Sequence, residues 1–203
     1  MNTKQELQQT INDMVDDHRG ILAADESEPT IKKRFDAIGV SSTEENRRCY
    51  RSLLLDTQDL GDYISGVILF EETLTQMNDK GLMLPEVAWA QQIVPGIKVD
   101  KGKGPLSGAP GDQITRGLDG LRDRLPDTKE PGARLAKGRA DSPITASNPT
   151  ALGHRANAEV LARYAAVCQE LGIVPIVEPE VLMDGGHEID RCSRVIEVVL
   201  HSV

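Results

Sequence analysis

Short apolar runs alternate with amphipathic segments along the chain. Residues 21–25, 63–70, 93–100, 133–139 and 173–181 read as five strands. Residues 1–6 open a polar amphipathic helix, and a Ser27-Glu-Pro-Thr30 turn leads into a helical segment over 31–38. Ser42-Thr-Glu-Glu45 has the form of a capping box, with Ser42 as N-cap and Glu45 at the third helical position, and starts the helix that carries Tyr50, Leu53 and Leu54. A short helix over 118–125, a longer one over 157–171 and a closing helix over 190–203 with a strongly apolar face complete the pattern. Strands alternating with helices at this spacing predict an α/β fold with a parallel β/α sheet.

The charges fall at the ends of these strands. Asp25, Glu71, Asp100, Lys101, Lys137, Arg139, Glu178 and Glu180 all lie at or near a predicted C-terminal strand end. That is where active sites sit in β/α barrels and open α/β sheets alike. Polar residues resume at any strand end, so one such charge means little; several strands ending in acids and bases predict a shared polar site. Glu178 and Glu180 share one parity and project from one face. In a low-dielectric site two such acids separate their pKa values, one staying protonated as a general acid, whereas in a solvated strand-to-helix loop they do nothing of the kind. Lysines and arginines beside acids suit an anionic substrate undergoing proton transfers. A divalent metal would call for carboxylates and histidines without competing cations, so neither a metal nor a cofactor is expected.

A formal charge of −9 argues against a general nucleic-acid or anionic-membrane surface. No apolar run approaches the roughly 18 residues needed to span a bilayer. Cys49, Cys168 and Cys192 lie far apart without C-x-x-C spacing, which reads as reduced thiols in a soluble cytoplasmic protein. The length suits one domain over residues 1–203, or part of a larger one. Lys101-Gly-Lys-Gly-Pro105 is either a surface loop or a phosphate loop, and His154, His187 and His201 read as ordinary surface histidines.

With these residues in view, the chain resembles the class I fructose-bisphosphate aldolases. The matching segments are Gly20-Ile-Leu-Ala-Ala-Asp-Glu-Ser27, Thr43-Glu-Glu-Asn-Arg-Arg48, Ile64-Ser-Gly-Val-Ile-Leu-Phe-Glu-Glu-Thr73, Pro95-Gly-Ile-Lys-Val-Asp-Lys-Gly102, Gly117-Leu-Asp-Gly-Leu121, Leu161-Ala-Arg-Tyr-Ala165 and Val174-Pro-Ile-Val-Glu-Pro-Glu180. They run in family order over nearly the whole length. The resemblance implies an eight-stranded β/α (TIM) barrel, here with about five strands. It implies cleavage of fructose bisphosphate into dihydroxyacetone phosphate and glyceraldehyde phosphate through a lysine Schiff base, without a metal. Carried over by motif, Asp25 would manage the proton on the hydroxyl whose loss breaks the carbon–carbon bond. Glu178 would be the general acid and base for the carbinolamine, and Lys137 would keep neighbouring protonation states in order. Arg34, Arg47, Lys101 and Arg139, with Ser27, and Glu180 beside Glu178, would hold the phosphates or the sugar chain. The family also forms tetramers, so a homo-oligomer is possible.

Three departures stand out. Lys137-Gly138-Arg139-Ala140-Asp141-Ser142-Pro143 replaces the family's aromatic and its following apolar run, so Asp141 and Pro143 are expected to break the fourth strand. Glu28-Pro29 puts a negative charge near a presumed phosphate site. The chain reaches Val203 before the sixth strand that carries the family's Schiff-base lysine. Open sheet edges are therefore expected, with Val195, Ile196, Val198, Val199, Leu200 and Val203 short of packing surface. Lys98, Lys101 or Lys137 would replace that lysine only with a lowered pKa and reach to the carbonyl. The expectation is an aldolase by family with little or no activity in this polypeptide, or else a non-catalytic fragment that binds a sugar phosphate or a protein.

Overall fold

In the computed structural model, which describes residues 2–15 and 18–203, the five apolar runs hydrogen-bond side by side in one parallel sheet. Its strands are β1 (Gly20–Ala24), β2 (Ile64–Leu69), β3 (Val94–Lys98), β6 (Leu135–Ser142) and β7 (Val174–Val181), in that spatial order. The short strands β4 (Lys103–Pro105) and β5 (Gln113–Thr115) form a separate antiparallel ribbon. The helices are α1 (Thr3–Met14), α2 (Glu28–Asp36), α3 (Glu44–Leu55), α4 (Leu84–Ala90), α5 (Leu121–Lys129), α6 (Ala151–Glu170) and α7 (Ile189–Ser202). Among the described residues no helix is long and apolar enough to cross a membrane.

Both faces of the sheet are covered toward the N-terminal ends of its strands, where its residues are largely apolar. The outer face packs Val67, Leu69 and Ile97 against Leu55 of α3, Leu121 and Leu125 of α5, and Leu161 and Tyr164 of α6. On the inner face Ile68, Val94, Leu135 and Val174 pack under Met14 of α1. The inner face changes character along the strands. On β6 it reads Leu135, Lys137, Arg139, Asp141, and on β7 it reads Val174, Ile176, Glu178, Glu180. The two rows run level, with Arg139 beside Glu178 and Asp141 beside Glu180. One end of the curled sheet is therefore a core and the other a charged cleft.

Among the described residues β1 and β7 are the outer strands of this sheet. On α7, Val195 and Val199 are buried against Ile144, while Ile196, Val198, Leu200 and Val203 stay exposed.

Several local expectations are corrected. The N-cap of α3 is Thr43, which accepts from the Asn46 amide at 3.1 Å, so Ser42 and Glu45 do not form the box. The Ser27–Thr30 turn is the start of α2, where Pro29 in the first turn lacks only an N–H that the helix would not use. Asp141 does not break β6; the strand continues to Ser142 and pairs with β7 throughout. Residues 103–105 form a strand, not a loop. α5 starts at Leu121 because Gly120 before it is left-handed, with φ 67°. α6 starts at Ala151, where Thr150 caps the Gly153 amide at 3.1 Å and is itself held by Asp112. The short helix α4 was not anticipated, although Pro85 in its first turn and Glu86 reaching back to the Met83 amide signal its start. Met1, where the first helical segment was expected to open, lies outside the described residues.

Candidate active site

The charged end of the sheet opens into a cleft of about 900 Å³ over the C-terminal ends of β1, β2, β3, β6 and β7. Asp25 follows directly on β1 and is buried. Its backbone is fixed from α3. The fully buried Arg51 donates to the Ala24 carbonyl at 3.2 Å and the Glu26 carbonyl at 2.8 Å, the two that flank Asp25. Arg51 is held in turn by Glu72 at 2.7 Å and lies 5.5 Å from the centre of the Phe70 ring.

Three strands bring the central group together. From β6, Lys137 donates to Asp25 at 3.1 Å and stands 3.0 Å from Glu178 of β7. Burial alone would pull the Lys137 pKa down, but Asp25 and Glu178 outweigh it and hold the ammonium above the usual lysine value. Arg139, two residues along, donates to Asp141 at 2.5 Å and reaches Glu180 at 2.7 Å. Burial opposes its charge and is again outweighed by those acids. Asp141 shows the converse. Burial raises its pKa, but Lys103 and Arg139 outweigh that and hold the carboxyl below the usual range. Glu178 and Glu180 thus each have a cation as partner, Lys137 and Arg139 respectively.

The remaining cleft cations are paired too. Lys98 pairs with Asp100, Lys101 with Glu71, Lys103 with Asp141 and Arg34 with Glu26. Tyr50 donates to the same Glu26 at 3.0 Å. The cleft's cations could meet an anionic ligand by exchanging these partners, and Asp25, Lys137 and Glu178 stand close enough for proton traffic. Among the described residues no cluster of His, Cys, Asp and Glu is placed to hold a metal ion.

Asp25, Ser27, Arg34, Lys101, Lys137, Arg139, Glu178 and Glu180 all line the cleft. Arg47 does not; it is two-pronged onto Glu72, at 2.8 Å from each oxygen, and stands 3.7 Å from Glu28, which does line it. Lys98, Lys103, Glu26 and Asp141 line the cleft without having been singled out for substrate. Lys98 has the parity of Asp100 at the end of β3 and sits level with Lys137, a signal the sequence carried. His154 is half-buried, not a plain surface residue. Its Nδ1 is buried without a hydrogen-bond partner, and burial pulls its pKa down.

A parallel β/α sheet curled around a charged cleft at its C-terminal strand ends is the layout of a β/α-barrel enzyme site. The family model for glycolytic class-I fructose-bisphosphate aldolases matches residues 6–203, and the chain belongs to that family. A probable fructose-bisphosphate aldolase class 1 of Xanthomonas axonopodis pv. citri is 52% identical over 199 residues, 98% of this chain and 60% of that protein. Fructose-bisphosphate aldolase 2 of Caenorhabditis elegans is 50% identical over 197 residues, 97% of this chain and 54% of its own. The Plasmodium falciparum fructose-bisphosphate aldolase, solved in complex with TRAP and a small-molecule inhibitor, superposes with a TM-score of 0.95 at 46% identity over 98% of this chain and 58% of that one. The chain thus spans about 60% or less of the length of these relatives.

Proposed function

We propose that these residues carry the acid–base and anion-binding part of a class I fructose-bisphosphate aldolase site, and that residues 1–203 bind sugar phosphate but do not by themselves supply the amine that turns it over. The observation that carries this reading is the Lys137 ammonium held between Asp25 and Glu178. In the aldolase reaction Asp25 would take the proton from the substrate hydroxyl, and Glu178 would deliver and remove protons at the carbinolamine. Lys137 would bridge the two carboxylates between steps. Lys98, Lys101 and Arg34 would meet a phosphate by releasing their present partners.

The reaction also needs a neutral amine to attack the carbonyl. Lys98, Lys101, Lys103 and Lys137 are each ion-paired in the cleft, and the Lys137 pKa is raised rather than lowered. None of the four is set up as that nucleophile. We also propose a cytoplasmic location, which the three free cysteines support.

Borohydride reduction with dihydroxyacetone phosphate, followed by mass spectrometry, tests the lack of turnover. No adduct is expected, and a stoichiometric adduct on any lysine overturns it. Calorimetry with fructose 6-phosphate tests binding, which Lys137→Met should weaken at least tenfold. No heat from the unaltered protein overturns the sugar-phosphate reading.

A further inference from the structure

The cleft is lined by eight carboxylates and six cationic side chains, so it is two charges more negative than positive before any ligand enters. That balance is odd for a site meant to grip an anion at both ends. The cations also differ in how firmly their partners are held. Lys101 and Glu71 are 45% and 60% exposed, so this pair is screened by water and Lys101 can exchange its partner for a phosphate.

The Arg139 arm is different. Asp141 lies on the same inner row of β6 as Lys137 and Arg139, and its side chain is only 9% exposed. It takes the Arg139 guanidinium at 2.5 Å and the Lys103 ammonium as well. Its neighbour across the strand pair is Glu180, which takes the other side of Arg139 at 2.7 Å. Two like charges stand level on adjacent strands, an arrangement tolerated because Arg139 lies between them. A phosphate arriving there meets two resident carboxylates fixed to rigid strands, and the two cations it would use are already engaged. The paired Lys103 and Arg139 outweigh burial and hold the Asp141 carboxyl below the usual range. A carboxylate accepts hydrogen bonds and repels phosphate, so this arm suits a sugar hydroxyl.

We infer that Asp141 is a specificity-determining residue that fills the Arg139–Lys103 arm from within, so that the cleft takes a sugar monophosphate and gains no affinity from a second phosphate. The inference rests on the sugar-phosphate reading above. Asp141 acts on the anion at the binding step, and no bond is made or broken. Removing its charge leaves Arg139 with Glu180 and turns Lys103, which is 43% exposed, toward ligand.

The test is calorimetry on the 203-residue protein with fructose 1-phosphate, fructose 6-phosphate and fructose 1,6-bisphosphate, repeated for Asp141→Asn and Asp141→Ser once circular dichroism shows them folded. The quantity read is the affinity for the bisphosphate relative to the better monophosphate. In the unaltered protein this ratio should lie within about twofold of one, and both variants should raise it about tenfold. A rise of threefold or more supports the inference, and a smaller rise overturns it. If neither variant folds, the unaltered protein decides: a ratio below threefold supports the inference and a higher one overturns it. Binding with an unmoved ratio overturns the inference alone. No binding of any of the three sugars overturns the sugar-phosphate reading and the inference together.

Discussion

Replacing Arg51 with Met should cost this protein more than the loss of any other single ion-pair partner outside the cleft. The guanidinium is fully buried, pairs with Glu72 at 2.7 Å and serves the Ala24 and Glu26 carbonyls at 3.2 and 2.8 Å. Breaking a buried pair by deleting one partner costs about 3–5 kcal/mol. Here Glu72 keeps Arg47, at 2.8 Å from both of its oxygens, so most of the loss falls on the two orphaned carbonyls. At about 1–3 kcal/mol each, they bring the expected loss to about 3 kcal/mol. Methionine fills much of the same volume, so the figure reports the polar groups and not a cavity. Equilibrium urea unfolding measures it, and with a slope of roughly 1–3 kcal/mol per molar the midpoint should fall by roughly 1–3 M. Arg122→Met is the control, because Arg122 and Glu170 are both 57% exposed and their pair is worth roughly 0–1 kcal/mol. Arg51→Met no more destabilising than Arg122→Met would refute the clamp around Asp25.

Further predictions concern the fourth inner strand, its helix and the titrating groups. A Cβ added at Gly138 would meet the Tyr164 ring at 2.6 Å, so Gly138→Ala should lose about 1–3 kcal/mol in thermal melting, and an unchanged melting temperature would contradict the packing. Burial lowers the His154 pKa from its ordinary 6.5, so the folded state holds fewer protons there than the unfolded chain. Its contribution is complete above about pH 6.5 and is lost as pH falls toward the lowered value. Urea midpoints between pH 8 and 5 should therefore drop less in His154→Gln than in the unaltered protein, and parallel curves would contradict this. Lys137 titrates above its ordinary 10.5, so its contribution is complete below that value and is lost as pH rises through the raised pKa. Lys137→Met should be less stable at neutral pH yet flatter above about pH 10; an equally steep alkaline loss would show that other groups govern it.

The inner rows were legible in the sequence because a strand sorts its residues by parity. Glu178 and Glu180 share one face by parity, whereas Gly138, Asp141 and Pro143 left the placement of Lys137 and Arg139 open; the cleft holds all four. Parity also carried Lys98, but the acids and glycines after it drew attention to Lys101. Other features were hidden because they depend on partners distant in sequence. Asp141 reads as a strand breaker until Lys103, 38 residues away on the ribbon, supplies its second cation. Arg51 reads as one more helical arginine until its carbonyl partners, 25 and 27 residues away, close around it. Arg47 matched a motif for ligand contact, yet its carboxylate partner lies 25 residues on, at Glu72. The start of α3 was misplaced by one residue because Thr43, not Ser42, accepts from the Asn46 amide, and α6 starts earlier than expected because Thr150 caps the Gly153 amide.

The most direct test is to titrate isotope-labelled protein with fructose 6-phosphate and follow its amide and lysine side-chain resonances. Lys137 and Lys98, with the amides around Asp25, Arg139 and Glu178, should shift together along one saturable curve. Shifts that saturate elsewhere on the molecule while these signals stay still would contradict a sugar-phosphate site in this cleft.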